Sequence, residues 1–338
     1  MPTVLTLVEP HLAYLSAAAA AHGSSRQRAV LGAMLARASA TVAPPTTYEA
    51  GLYILAGGDS AARVAVAPVT WLHDYGARAT ADCWRADPAH VRLGSGRDTG
   101  VVFGTALALD MREAATFAVD IAAALEWPPR KLVAPVADRW YLHDMAWPQI
   151  DTATPVEVGQ SGFSEALPRG AAAADLRRAL SEVQMLLSDH PLNLERVRRG
   201  LPAVNSLWFW GGGRGPDPGT GIRLSRLFGE DPFLGGLGLM VEEEMRPLPS
   251  PSDEEFWANC RGETLVALSP NVTFAGPGEK AAALERLVCW LAEARRRLLT
   301  GRLSELRLAD ALGRHFCWRR FDPLRIWRRT IPPLGRQQ

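Results

Sequence analysis

Lysine is almost missing from this sequence. Of 37 basic residues only Lys131 and Lys280 are lysine, and the rest are arginine. With the many alanines, that bias reflects genome composition first and function second. Cysteine is scarce as well. Cys83, Cys260, Cys289 and Cys317 are scattered, with no CxxC pair and no Cys/His cluster. That argues against a structural zinc site and a disulfide framework, and points to a reducing cytoplasm. No window approaches the ~20 apolar residues of a membrane span. Residues 1–10 lack a basic n-region, and residues 17–21 are too weakly apolar for a secretory h-region. The expectation is a cytoplasmic protein with no membrane partner. Charge of one sign is missing too: 37 Lys+Arg face 36 Asp+Glu, a net of +1. With 47% hydrophobic and 22% charged residues, this excludes a disordered chain, a collagen-like repeat and a globally basic nucleic-acid binder.

What is present suits one large or two ordinary domains in 338 residues. Residues 3–40 read as a short apolar segment followed by two Ala-rich helices broken at Gly23-Ser24-Ser25, with Pro44-Pro45 closing the unit. Residues 52–55 and 63–69 read as strands around a Gly57-Gly58-Asp59 turn. Residues 91–93 and 100–109 read as a strand pair joined by a turn at 94–98. Residues 112–126 form a helix stopped by Trp127-Pro128-Pro129, and 139–143 a strand. Residues 172–189 place Leu176, Leu180, Val183 and Leu187 on one helical stripe. A short basic helix at 194–199, capped by Asn193, precedes an apolar strand at 204–210. A strand at 264–268 and a long helix at 279–299 complete the pattern. The fold class is α/β, a mixed sheet with flanking helices. The boundaries expected are an N-terminal α/β part at 1–147, a linker-like loop rich in Pro, Gly, Thr and Ser at 148–170, a C-terminal α/β part at 171–313, and an Arg/Trp-rich tail at 314–338.

The densest stretch of candidate chemistry runs from Glu182 to Arg214. Glu182, Gln184, His190, Asn193 and Asn205 are polar groups able to meet around a strand end, or to satisfy caps and turn backbone. Trp208 and Trp210 share one face of the strand, as a stacking platform or as layer filling. Gly211-Gly212-Gly213 would let backbone N–H groups converge on an anion, with Arg214 adding charge; the alternative is a tight strand exit beneath aromatic packing. No Gly-Lys-Ser/Thr follows, so a P-loop is excluded. Asp87 and His90 could form an acid/base pair or serve structure alone.

Four motifs carry a resemblance: Trp84-Arg-Ala-Asp-Pro-Ala-His-Val-Arg-Leu93, Arg139-Trp-Tyr-Leu142, Glu182-Val-Gln-Met-Leu-Leu187 and Asn205-Ser-Leu-Trp-Phe-Trp-Gly-Gly-Gly213. They resemble a bacterial family of RpfE-type regulatory, or phosphoglycerate-mutase-like, proteins, over about residues 69–329. The ending Phe321-Asp-Pro-Leu-Arg-Ile-Trp327-Arg-Arg329 belongs to the same likeness. More distantly, His190-Pro-Leu-Asn193, Arg196, Gly200 and Asn205 resemble a segment of archaeal-type cofactor-independent phosphoglycerate mutases, members of the alkaline phosphatase superfamily. That resemblance implies a degenerate alkaline-phosphatase-like core. Those mutases carry a metal-binding Asp and His within an Asp-Glu-Ala-Gly-His-type motif, where this chain has Asn271-Val-Thr-Phe-Ala-Gly276-Pro-Gly-Glu279. An early Asp-Gly motif and a late Asp-His pair are missing too.

Three readings follow. The first is a non-catalytic regulatory or ligand-binding protein with no cofactor, taking a phosphorylated or other anionic small molecule at Asn205 to Gly213. The second is a metal-dependent mutase or phosphatase, which alone would require a divalent metal. The third is a nucleic-acid-associated regulator acting through the C-terminus. From residue 281 onward, thirteen arginines face five acids, a net of +8, so the rest of the chain carries −7. Arg319, Arg320, Arg328 and Arg329 are interleaved there with Phe316, Trp318, Phe321 and Trp327, either to contact phosphate and bases or to dock onto the acidic body. No oligomeric state is specified.

Overall fold

The structure is a computed structural model that describes residues 3–44, 46–92, 100–128, 131–145, 147, 150–171, 173–215, 221–269, 277–325 and 327–328. The chain divides into two compact units, with Ala65–Pro216 inserted between Met1–Val64 and Asp217–Gln338. This corrects the boundary expected at 148–170, which lies inside the inserted unit. The Pro- and Gly-rich composition there marks local turns, not a change of domain.

The first unit opens with β1 (Val4–Val8), α1 (Leu12–His22), α2 (Ser25–Arg37), β2 (Ser39–Val42) and α3 (Tyr48–Leu55). The inserted unit follows: α4 (Val66–Tyr75), β3 (Cys83–Val91), β4 (Val101–Phe103), α5 (Met111–Ala124), β5 (Leu132–Val136) and β6 (Arg139–His143). It continues with β7 (Ile150–Asp151), α6 (Pro155–Ser161), β8 (Arg169–Gly170), α7 (Ala173–Ser188), α8 (Pro191–Arg198) and β9 (Ser206–Gly213). The first unit resumes with β10 (Leu227–Phe228), α9 (Pro232–Leu239), β11 (Met245–Arg246), α10 (Glu254–Asn259), β12 (Glu263–Ala267), α11 (Pro277–Leu299), β13 (Glu305–Ala309) and β14 (Arg314–Arg319).

In the first unit a seven-stranded sheet has the order β11-β10-β12-β1-β13-β14-β2. The first five are parallel; β14 pairs antiparallel to β13, and β2 antiparallel to β14. Val8 is level with both Ala267 and Ala309, so β1, β12 and β13 end side by side. A buried apolar strand such as β1 belongs in a parallel sheet covered on both faces. Leu284, Leu287, Val288, Leu291, Ala294 and Leu298 form the buried stripe of α11. They pack in one core with Leu31, Met34 and Leu35 of α2 and with Trp257 and Trp290. Each aliphatic side chain so buried stabilises by about 1.5–3 kcal/mol. Ser24 starts α2 with a capping box, its hydroxyl accepting from Gln27 N–H at 3.2 Å while the Gln27 side chain accepts from Ser24 N–H at 2.8 Å. The stretch 314–319 is a strand of this sheet, so the expected tail begins later than 314.

The inserted unit's main sheet is antiparallel, with β9 along one side of β3, and β4 and β6 sharing its other side. Two expected strands are helices: residues 52–55 end α3, and 66–69 begin α4. Short apolar runs do not distinguish strand from buried helix. Here Thr47 Oγ1 accepts from Ala50 N–H at 3.3 Å to start α3, and Gly76, at φ +78°, ends α4. The turn expected at 94–98 lies outside the described residues. No helix among the described residues is long and apolar enough to cross a membrane.

Candidate functional site

In an open parallel sheet, ligands gather beyond the carboxyl ends of the strands. In the first unit those ends present a cluster of ionisable groups. Glu9 follows β1 and is completely buried. Its Oε2 accepts from Ser269 Oγ at 2.8 Å, and its Oε1 from His11 N–H at 3.1 Å. Arg286 of α11 donates to the Leu268 carbonyl at 2.6 Å and reaches Ser269 Oγ at 3.5 Å. Burial pushes the Glu9 carboxyl up from 4.5 to about 7, against the pull of Ser269, the His11 N–H and Arg286. This acid therefore changes charge near neutrality.

Asp310 follows β13 and is also buried. Its Oδ1 accepts from the N–H groups of Leu312 (2.8 Å) and Arg314 (2.9 Å), and Arg314 Nε binds its Oδ2 at 2.5 Å. Asp231, beyond β10, caps α9 through Leu234 N–H at 2.9 Å and accepts from Tyr48 Oη at 3.0 Å. Burial, then the charges of Asp231, Glu49 and Glu9, hold the Tyr48 hydroxyl protonated well above its ordinary value. Gly51 lets α3 approach this edge: a Cβ there would stand 1.8 Å from the Ala311 carbonyl oxygen.

Two-metal phosphoryl transfer needs several carboxylates and histidines with free lone pairs converging on the ions. The donors here do not fit that need. Glu9 is bonded to a hydroxyl and an N–H, Asp310 to a guanidinium and two N–H groups, and Asp231 to a phenol and a helix terminus. Among the described residues no group of three or more His, Cys, Asp or Glu is placed to hold a metal ion. The Asn271 to Gly276 stretch lies outside the described residues.

The inserted unit holds the residues singled out by sequence, strung along β9 and its neighbours. Gly211 to Gly213 are the end of a strand, with Gly213 opposite Cys83, not a loop at the edge of a parallel sheet. Their lack of side chains is a packing requirement. A Cβ at Gly212 would fall 1.9 Å from the Trp84 ring, one at Gly211 2.8 Å from Val66 Cβ, and one at Gly213 3.1 Å from Ala65 Cβ. Trp208 and Trp210 are buried, donating to the Ala153 carbonyl (2.8 Å) and to Asp87 Oδ2 (2.7 Å). Asn205 clasps Val91, accepting from its N–H at 2.7 Å and donating to its carbonyl at 2.9 Å. Asn193 makes three such bonds, to the Leu187 carbonyl and to both backbone groups of Val204.

The remaining candidates are spread apart. His190, not Asn193, caps α8, and its other nitrogen meets Asp120 at 3.2 Å. Gln184 donates to Ser206 Oγ at 3.2 Å, whereas Glu182 is half-buried and pairs with Arg178 at 2.9 Å. Arg214 is exposed and pairs with Asp82 at 3.1 Å. Asp87 and His90 do not pair: His90 Nδ1 meets the Ala203 carbonyl at 2.8 Å, and Asp87 binds Arg85 through two bonds of 2.9 Å. Arg85 lies over the rings of Tyr141 (5.4 Å) and Trp210 (5.2 Å), and Tyr141 Oη donates to Asp74 at 2.6 Å. Arg319 pairs with Glu305, Arg320 stacks on Phe321, and Arg328 donates to the Ala38 carbonyl. Arg329 lies outside the described residues.

Sequence reasoning passed over Glu9, Tyr48, Asp231, Ser269 and Asp310. The signal for two of them was local: an acid placed directly after an apolar strand, as in Val8-Glu9 and Ala309-Asp310.

Fold and strand ends together define a mixed α/β protein whose first unit is built on a parallel core. A protein of Pyrococcus horikoshii shares that fold, with a TM-score of 0.50 at 12% identity over 94% of this chain and 87% of that one. No model of a known protein family matches the chain. In sequence, a stretch of 80 residues is 30% identical to a probable 2,3-bisphosphoglycerate-independent phosphoglycerate mutase of Geobacter sulfurreducens, covering 22% of this chain and 20% of that protein. A stretch of 62 residues is 37% identical to the 2,3-bisphosphoglycerate-independent phosphoglycerate mutase of Methanothrix thermoacetophila, covering 18% and 16%. The match thus spans a fifth or less of the length of these relatives.

Proposed function

We propose that the chain is a phosphoglycerate-mutase-like protein of the RpfE-type regulatory group that works in the cytoplasm. In this reading it binds a phosphorylated or other anionic small molecule at the strand ends of the first unit, and does not transfer phosphoryl groups through metal ions. The observation that carries the reading is the closure of the strand-end acids. Glu9, Asp231 and Asp310 spend oxygens on Ser269, Tyr48, Arg314 and backbone N–H groups, which leaves the Arg286 guanidinium as the charged donor beside Glu9. Once Glu9 is protonated, the charge of Arg286 faces an anion without a competing carboxylate.

The test joins thermal shift to enzymology. Phosphoglycerates and inorganic phosphate should raise the melting temperature dose-dependently, more at pH 6 than at pH 8, and the effect should fade in Arg286→Gln. A mutase assay with Mn²⁺ or Mg²⁺, alongside metal analysis of the purified protein, should find no turnover. Chelator-sensitive turnover, or no stabilisation by any of these anions, would overturn the reading.

A further inference from the structure

We propose that the segment following β14 is a docking surface for single-stranded nucleic acid, separate from the strand-end site and independent of its occupancy. Beyond Arg319 the chain makes a short 3-10 turn, Asp322–Leu324, with bonds of the i to i+3 kind around it. Leu324 N–H bonds to the Phe321 carbonyl (3.0 Å), Arg325 N–H to Asp322 (3.1 Å) and Arg328 N–H to Arg325 (3.0 Å). Phe321, Leu324 and Trp327, three residues apart in sequence, are 64%, 49% and 73% exposed. Large apolar side chains seldom face water in a row, and such rows mark interaction sites.

The row is held in place. Asp322 and Pro323, between the exposed residues, are buried. Asp322 accepts from Arg319 N–H at 2.9 Å and pairs with Arg325 at 2.7 Å, while the Pro323 carbonyl accepts from Arg37 at 2.8 Å. Arg328 ties the far end to the Ala38 carbonyl at 3.2 Å. The backbone that carries the exposed side chains is therefore tied down at both ends.

Charge decides the partner. The nearby acids are already engaged: Glu305 with Arg307 (2.6 Å) and Arg319 (3.3 Å), and Asp322 with Arg325. Arg320 lies over the Phe321 ring at 5.2 Å, and among the described residues neither it nor Arg328 has a carboxylate partner. A fitting partner must be polyanionic and offer flat apolar faces. Unstacked bases on a phosphate backbone supply both. A membrane-seeking surface would keep its arginines on the face opposite its apolar residues. Here a guanidinium covers a ring of the apolar row itself, an arrangement that suits cation–π and base stacking.

The test is fluorescence anisotropy with the full chain and labelled oligo-thymidylate and oligo-uridylate. Affinity should fall linearly with salt on logarithmic axes, by about 0.7 per phosphate contacted. Trp327→Ala should weaken binding about fivefold or more, with Trp327→Phe retaining most of it. Arg320→Glu combined with Arg328→Glu should weaken binding about tenfold or more and flatten the salt slope. All these side chains are exposed, so unchanged melting temperatures will show that the variants are folded. No oligonucleotide binding by the natural chain, or equal binding by the variants, would overturn the proposal. Binding to phosphatidylserine vesicles without oligonucleotide binding would do the same.

Discussion

The indole ring of Trp84 fills the space that any side chain at residue 212 would need, standing 1.9 Å from the place where a Cβ would sit. Trp84 is itself fixed, its Nε1 donating to the Met145 carbonyl at 3.0 Å. Gly212→Ala should therefore destabilise the inserted unit by about 1–3 kcal/mol, the usual range for overpacking. Gly159, inside α6, has nothing within 4 Å of its Cβ position and no left-handed backbone. Gly159→Ala should leave stability unchanged or raise it by up to about 1 kcal/mol. Denaturant melts of the two variants check both directions, and equal effects would show that the ring is not the obstacle.

Arg85 and Asp87 form a buried ion pair that also binds Trp210 and packs against Tyr141. Removing one partner strands a buried charge, which costs about 3–5 kcal/mol. Asp87→Ala should fall in that range. The joint replacement Arg85→Met with Asp87→Leu should cost clearly less than the two single changes summed. A double-mutant cycle by urea unfolding measures the coupling, and simple additivity would refute it.

Glu9 gives the first unit a pH dependence of defined sign. Its carboxyl is raised from 4.5 to about 7 in the folded protein. Between those values the folded state keeps a proton that the unfolded state releases. The stability it contributes is complete below about pH 4.5 and is lost as pH rises through about 7, a change on the order of 3 kcal/mol. Glu9→Gln should remove that slope, melting above the natural protein at pH 8 and close to it at pH 4.5. Scanning calorimetry across this range is decisive: an unchanged slope would mean that Glu9 is not the titrating group.

Long periodic elements were legible in the sequence. The stripe of α7, the stop of α5 at Trp127-Pro128, the pair α1 and α2 and the strand β6 all stand where their residues place them. Where the signal was a short apolar run, as in α3 and α4, strand and helix were not separable. The domain boundary was missed for a different reason. Composition reports turns, whereas the boundary is set by β1 pairing with strands more than 250 positions away. The site suffered likewise. Glycines, tryptophans and amides in one stretch looked like recognition, yet their polar atoms are spent inside the unit, Asn205 on Val91, Asn193 on Leu187 and Val204, Trp208 on Ala153 and Trp210 on Asp87. Glu9 and Asp310 looked ordinary because burial, not identity, makes them unusual.

The place of β1 at the middle of its sheet also sets a timetable for synthesis. Its partners β12 and β13 are completed only when residues 267 and 309 have been made. At translation rates of about 5–20 residues per second, β1 waits roughly fifteen seconds to a minute for both. The inserted unit, continuous from Ala65 to Pro216, has all its strands long before then. The nascent chain thus carries a finished inserted unit while β1 still lacks its partners, and that apolar strand needs shelter until β13 has been made.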